Sequence, residues 1–151
     1  MIRIASLIVA GLFASAACAE TPMKAQQMVE KTLAKHPEAA HIVMHVTPPG
    51  RPESENVIIG SNIGKIGKLA DEDDLRIVHT GKPETVVAKT GDRFNVSLPF
   101  FDTSGKNIGI VAVGFPYKQG DDKAKLEKRA MEIRDELKGQ IPSAAMLFET
   151  K

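Results

Sequence analysis

The hydrophobic positions change period several times along the chain, and each change marks an element. Met23, Gln27 or Met28, and Leu33 recur at helical spacing behind Thr21-Pro22, which read as an N-cap and a proline at the first helical position; His36-Pro37 ends the run. His41 to Val46 is a short β-branched and apolar run between prolines, so it predicts a strand, and Val57 to Ile59 predicts a second one. Thr47 to Glu55 carries three prolines and a glycine and predicts an exposed connection. Thr85 to Lys89, Arg93 to Leu98 and Ile108 to Phe115 predict three more strands, joined by turns at Thr90-Gly91-Asp92 and Asp102 to Lys106.

Two further helices complete the pattern. Asp71 to Asp74 put acids ahead of Leu75 to His79, with Gly81 just past the end and Pro83 beyond it, which predicts a short capped helix. Asp121 to Lys138 carries Leu126, Ala130, Ile133 and Leu137 on one stripe and ends at Gly139. Between strand two and the short helix, residues 61–70 are too glycine-rich for a helix. Ile63, Ile66 and Leu69 recur there every three residues and are expected to face inward.

Strands linked by short turns are antiparallel neighbours, so the order predicts an α+β fold: a five-stranded antiparallel sheet with helices on one face and the fifth strand inside it. In the fourth strand Phe94, Val96 and Leu98 point one way, and Arg93, Asn95 and Ser97 the other.

Composition narrows the setting. Arg3, the apolar run Ile4 to Phe13 and Ala17-Cys18-Ala19 form a leader with a small-x-small cleavage site, so residues 1–19 are expected to be a signal peptide cut after Ala19. Residues 20–151 are then one domain, periplasmic in location. Lipidation at Cys18 is the lesser alternative, since Ser15-Ala16-Ala17 lacks the leucine that opens a lipobox. Cys18 is the only cysteine, so the exported domain has no disulfide. The chain has 20 Lys and Arg against 19 Asp and Glu, and Arg3 leaves with the leader. An electroneutral domain exerts no pull on polyanions, and nucleic acid is not an expected partner.

Catalytic motifs are missing. Ser97, Ser104 and Ser143 stand in no Gly-x-Ser-x-Gly setting, and Gly64 and Gly67 form no phosphate loop, so no enzyme is expected. Asp71 to Asp74 do not alternate as a calcium loop requires. His41 and His45 share one strand face, yet no further ligand accompanies them; neither a metal nor a cofactor is expected.

Asn62-Ile-Gly-Lys-Ile-Gly67, Leu75-Arg-Ile-Val-His-Thr-Gly-Lys-Pro83 and the hairpin Leu98 to Gly109 together resemble the extracytoplasmic Cache, or PAS-like, sensor domains of bacteria, over residues 22–138. The resemblance implies a long N-terminal helix on one side of the sheet. It also implies a pocket between the sheet and the segment joining strands two and three, which takes amino acids, amines or carboxylates. Under that reading Arg93, Asn95 and Ser97 look into the pocket, Arg93 gripping a carboxylate, while His79 and Arg76 close it from the short helix and His45 adds a strand residue. The bland reading of the same polar row is a solvated sheet face.

Two functions follow. One is a free-standing periplasmic domain that binds a small organic ligand and signals through a partner such as a membrane receptor or histidine kinase. The other is an interaction protein without a ligand, dimerising through the N-terminal helix or docking on a receptor.

Overall fold

The computed structural model describes residues 23–150. The leader, its Ala19 cleavage site, Cys18 and the Thr21-Pro22 cap lie outside the described residues. The first helix, α1 (Lys24–Lys35), has Met23 at its N-cap position with no side-chain cap. It is followed by β1 (His41–Val46), β2 (Val57–Ser61), α2 (Glu72–Thr80), β3 (Glu84–Val87), β4 (Arg93–Phe101), β5 (Asn107–Pro116), α3 (Lys123–Lys138) and α4 (Ala144–Leu147). No helix among the described residues is long and apolar enough to cross a membrane.

The five strands form one antiparallel sheet in the order β2-β1-β5-β4-β3, with β5 at its centre. This is the α+β, PAS-like arrangement the strand pattern predicts. Period-two alternation divides the sheet between two layers. Ile42, Met44, Phe94, Val96, Leu98, Phe100, Val111, Val113 and Phe115 face the main core with Val29 of α1 and Ile133 and Leu137 of α3. Phe94, Phe100 and Phe115 are fully buried there, each contributing roughly 1.5–3 kcal/mol by leaving water.

The opposite face is also covered, which corrects the expectation of helices on one side. Ile77 and Val78 of α2 pack on Ile110 of β5 as a small second cluster. That explains why the central strand reads as continuously apolar: both of its faces are out of water.

Local chemistry places α2 as the sequence predicts. Asp71 Oδ1 accepts from the Asp74 amide at 3.1 Å, and Gly81, left-handed at φ 65°, closes the other end by donating to Ile77 O at 2.9 Å. The β4–β5 turn is fixed by Asp102, whose Oδ1 accepts from the amides of Ser104 (2.9 Å) and Lys106 (3.1 Å) and from the Ser104 hydroxyl (2.6 Å). Those bonds, the Ser104 side chain foremost, hold the Asp102 carboxyl below the usual range.

Residues 62–71 differ from expectation. Ile63, Ile66 and Leu69 are 46%, 49% and 56% exposed, so they do not face inward. Gly64, Lys65 and Gly67 all take positive φ, and a chain that reverses so often does not keep every third residue on one side. The segment lies along β2, with the Ile58 amide donating to Lys68 O (3.0 Å) and the Gly67 amide to Ile58 O (2.8 Å). The short α4, after Pro142, went unforeseen because four residues show no helical period.

Candidate functional site

The face of the sheet turned toward α2 and residues 62–71 carries two rows of side chains. Cross-strand pairing aligns His41, Gly114, Asn95 and Val86 in one row, and Val43, Ala112, Ser97 and Glu84 in the next. His45 lies beside Ile58 and Ile110. The rows floor a cavity of about 230 Å³, walled by His41, His45 and Ser61 and roofed by Ile63, Gly64, Lys65, Lys68 and Asp74. This is the space between the sheet and the segment joining β2 to β3.

Small residues make the cavity. The His41 ring lies over Gly114, with Cε1 2.0 Å from where a Cβ would stand, so only glycine lets the imidazole lie down on β5. Beside it, Ala112 leaves room between Val43 and Ser97. The opening stretch of β5 has a different constraint: a Cβ on Gly109 would stand 2.0 Å from the His45 carbonyl oxygen.

The site holds polar groups without partners. Among the described residues, four buried side-chain polar atoms lack a hydrogen-bond partner, and three of them, His41 Nδ1, His45 Nδ1 and Asn95 Oδ1, belong to residues lining this cavity. The fourth is Asn56 Oδ1, whose amide nitrogen donates to Thr47 Oγ1 at 3.3 Å. A buried unpaired polar atom costs about 1–3 kcal/mol, and three of them cluster at this one cavity, where each could accept or donate a hydrogen bond.

Electrostatics follow from burial. Desolvation pushes the His41 imidazole below its ordinary value, and the Arg93 charge adds to this. Desolvation also lowers His45, against the pull of Asp74, while burial raises Asp74. His45 Nδ1 and Asp74 Oδ2 stand 3.6 Å apart. At neutral pH the floor is therefore uncharged imidazole and amide, with one carboxylate and two lysines in the roof.

The six residues singled out from sequence divide evenly. His45, Asn95 and Ser97 line the cavity together. Arg93 stands outside it, 46% exposed at its side chain and 3.9 Å from Asp92. Arg76 is held by Glu84, through Nε at 2.7 Å and Nη2 at 3.0 Å, and also by Asp73, which ties α2 to β3. His79 is exposed and reaches Glu53 at 3.2 Å. Sequence reasoning missed Asp74, Lys65, Lys68 and Ser61 as lining residues. Their roles depend on how residues 62–71 cross over the sheet, which no periodicity encodes.

Geometry also bears on a metal. His41 and His45 are four residues apart on a strand, about 13 Å at ordinary strand rise, too far for one ion. Among the described residues no group of three or more His, Cys, Asp or Glu is placed to hold a metal.

A larger cleft of about 420 Å³ lies at the other end of the sheet, between Thr47 to Arg51 and Lys106 to Ile108. Its buried polar groups are engaged: Asp102 by the turn, and Asn107 by the Val78 carbonyl (3.2 Å) and the Gly109 amide (3.0 Å). None of the buried, unpaired side-chain polar atoms among the described residues belongs to its lining.

No family model matches the chain, and no curated protein matches it in sequence. Solved structures do share the fold. A chain of the Agobacterium tumefaciens repressor BlcR superposes with a TM-score of 0.53 at 12% identity, over 78% of this chain and 67% of that one. A chain of the Escherichia coli DhaR(N)–DhaL complex gives a TM-score of 0.50 at 14% identity, over 82% of this chain and 48% of that one. The protein spans about half the length of the second chain, and at these identities the likeness is one of fold.

Proposed function

We propose that the protein is a sensing domain of Cache type that binds a small organic molecule between the sheet and residues 62–74, exports its signal through a partner protein, and catalyses no reaction. The observation that carries this reading is the cavity of about 230 Å³ lined by three residues with buried, unpaired polar atoms. The volume lies below the roughly 300–1,000 Å³ of drug-sized pockets, so the ligand is of metabolite size. Organic acids, amino acids and amines fall in that range. The BlcR chain belongs to a repressor and the other neighbour to a complex of two proteins, which supports a regulatory and partner-mediated role. Export to the periplasm, resting on the leader at residues 1–19, completes the proposal, with a membrane receptor or histidine kinase as the partner class.

A thermal-shift screen with amino acids, carboxylates and amines tests this. A ligand at 100 times its Kd adds about 2.7 kcal/mol, or roughly 5–10 °C in a domain of this size. Silence from every compound class sinks the ligand reading.

A second reading, an interaction protein without a ligand, is favoured by one observation. The exposed large apolar side chains among the described residues are Ile63, Ile66, Leu69 and Val86, and Ile63 and Val86 border the cavity. Light scattering separates the readings: a dimer lost on Ile66→Ser with no ligand response favours the second.

A further inference from the structure

The large apolar side chains that stand exposed among the described residues gather at one place. Ile63, Ile66 and Leu69 lie on the roof segment, and Val86 of β3 borders the same cavity as Ile63. An apolar cluster left in water marks a surface that another body covers.

The middle of the roof holds an isoleucine out at the crest of a turn. The Lys68 amide donates to Lys65 O at 3.0 Å, which closes a turn with Ile66 and Gly67 at its centre. Gly67 supplies the left-handed residue at φ 86°, and Gly64 (78°) and Lys65 (66°) bend the chain into the turn. Lys65 is the non-glycine residue held left-handed among those described, so the fold maintains this crest against a local cost. Its base is fixed on both sides. Asn62 accepts from the Ile42 amide (3.0 Å) and donates to Ala40 O (3.1 Å), while Gly67 and Lys68 bond to Ile58 of β2.

The charges around the crest have one sign. Between Asn62 and Ala70 the ionised residues are Lys65 and Lys68. Among the described residues no acid pairs with Lys65, and Lys68 has only Asp71, at 4.0 Å. Both lysines line the same cavity border as Ile63 and Val86, so cations and apolar tips share one side of the molecule. The acids that follow are engaged: Asp71 caps α2, Asp73 is held by Arg76 at 3.0 Å, and Asp74 faces His45. Of that run Glu72 alone stays free to oppose an anion.

These features select the occupant. A second copy docked about Ile66 would set Lys65 and Lys68 against the same two lysines, with no acid in the segment to receive them. A strand partner is excluded from the base of the crest, whose backbone already bonds β2. A lipid surface meets both demands, since aliphatic tips enter the acyl boundary while ammonium groups rest on headgroup phosphates.

We propose that residues 63–68 are a membrane-docking crest: Ile63 and Ile66 enter the interfacial layer of an anionic phospholipid bilayer, and Lys65 and Lys68 sit on its headgroups. Docking in this way turns the border of the cavity toward the lipid. It needs no bound ligand, so its failure leaves the ligand reading standing.

The chain has no tryptophan, so Ile66→Trp puts a single reporter at the crest. With vesicles of mixed phosphatidylcholine and phosphatidylglycerol at low salt, its emission should move to the blue and be quenched by brominated acyl chains. Vesicles of phosphatidylcholine alone should give a much weaker response, and added salt should release the protein. Co-sedimentation of the full chain with the mixed vesicles should weaken roughly tenfold in Ile66→Ser and about fivefold for each of Lys65→Gln and Lys68→Gln. All variants share residues 1–22, so the comparison isolates the crest, and unchanged melting temperatures show that the fold is kept. An unshifted emission in the Ile66→Trp protein, equal partition of wild type and Ile66→Ser, or equal binding to charged and uncharged vesicles overturns the proposal. So does a wild-type dimer that Ile66→Ser dissolves, which would assign the crest to a second copy.

Discussion

The imidazole of His41 occupies the space in which a Cβ on Gly114 would stand, with Cε1 2.0 Å, Nε2 2.4 Å and Nδ1 2.5 Å from that point. The ring cannot keep its place over any other residue. Gly114→Ala should displace His41 into the cavity and cost about 1–3 kcal/mol, measured by urea unfolding. Adding His41→Ala to that variant should recover part of the loss; strict additivity would mean the contact is unimportant.

Gly109 is held by backbone rather than by a ring. Its Cβ would meet the His45 carbonyl oxygen at 2.0 Å and the Val46 Cα at 2.9 Å, and β1 cannot swing aside as an imidazole can. Gly109→Ala should therefore cost more than Gly114→Ala, about 3 kcal/mol or above.

Asn95 sets function against stability. Its Oδ1 is buried and unpaired. Asn95→Leu, which keeps the branching and heavy-atom count and adds bulk toward the cavity, should raise the melting temperature of the ligand-free protein and abolish stabilisation by any cavity ligand. A lower melting temperature would show that the amide serves packing alone.

Acid should act in two stages. His41 and His45 have folded values depressed below 6.5, so their contribution is full above that pH and is lost as pH falls through it toward the depressed values. Asp102, Glu136 and Glu38 are also depressed, but from ordinary carboxylate values, so their contribution is lost only in stronger acid. Thermal melts against pH should show the first stage vanish in a His41→Gln, His45→Gln double variant. Arg93→Ala should raise the titration midpoint of His41 by NMR, because that cation opposes its proton.

His36 ties the two helices of the main layer. It is 5% exposed at the C-cap of α1, and its ring bridges Arg129 and Glu136 of α3. His36→Ala should cost about 2 kcal/mol without altering ligand response, because the buried ring's packing and its two hydrogen bonds to α3 are lost far from the cavity. Arg129 keeps Glu38 and Glu132, and Glu136 keeps Lys35.

Much of this was readable from the chain. Alternation in Arg93 to Leu98 assigned Asn95 and Ser97 to the cavity face and Phe94 to the core, because a strand's period of two allows one solution. Asp71 and Gly81 announced both ends of α2 through capping chemistry. The roof was not readable, since Ile63, Ile66 and Leu69 mimic a helical period while positive φ angles turn them outward. Arg93 reads as a carboxylate grip by residue type and Arg76 as a closing residue by its place on the short helix, but their partners Asp92 and Glu84 are set by chain path at the edge of the sheet.

The central claim is that the cavity over Ala112 holds a small molecule. Ala112→Phe fills it from the floor, where Val43 and Ser97 flank the new ring. A thermal-shift screen run in parallel on the wild type and this variant is the most direct measurement. The account predicts that a metabolite-sized compound stabilises the wild type by roughly 5–10 °C near 100 times its Kd and leaves Ala112→Phe unmoved. Equal shifts in both proteins, or none in either, would contradict it.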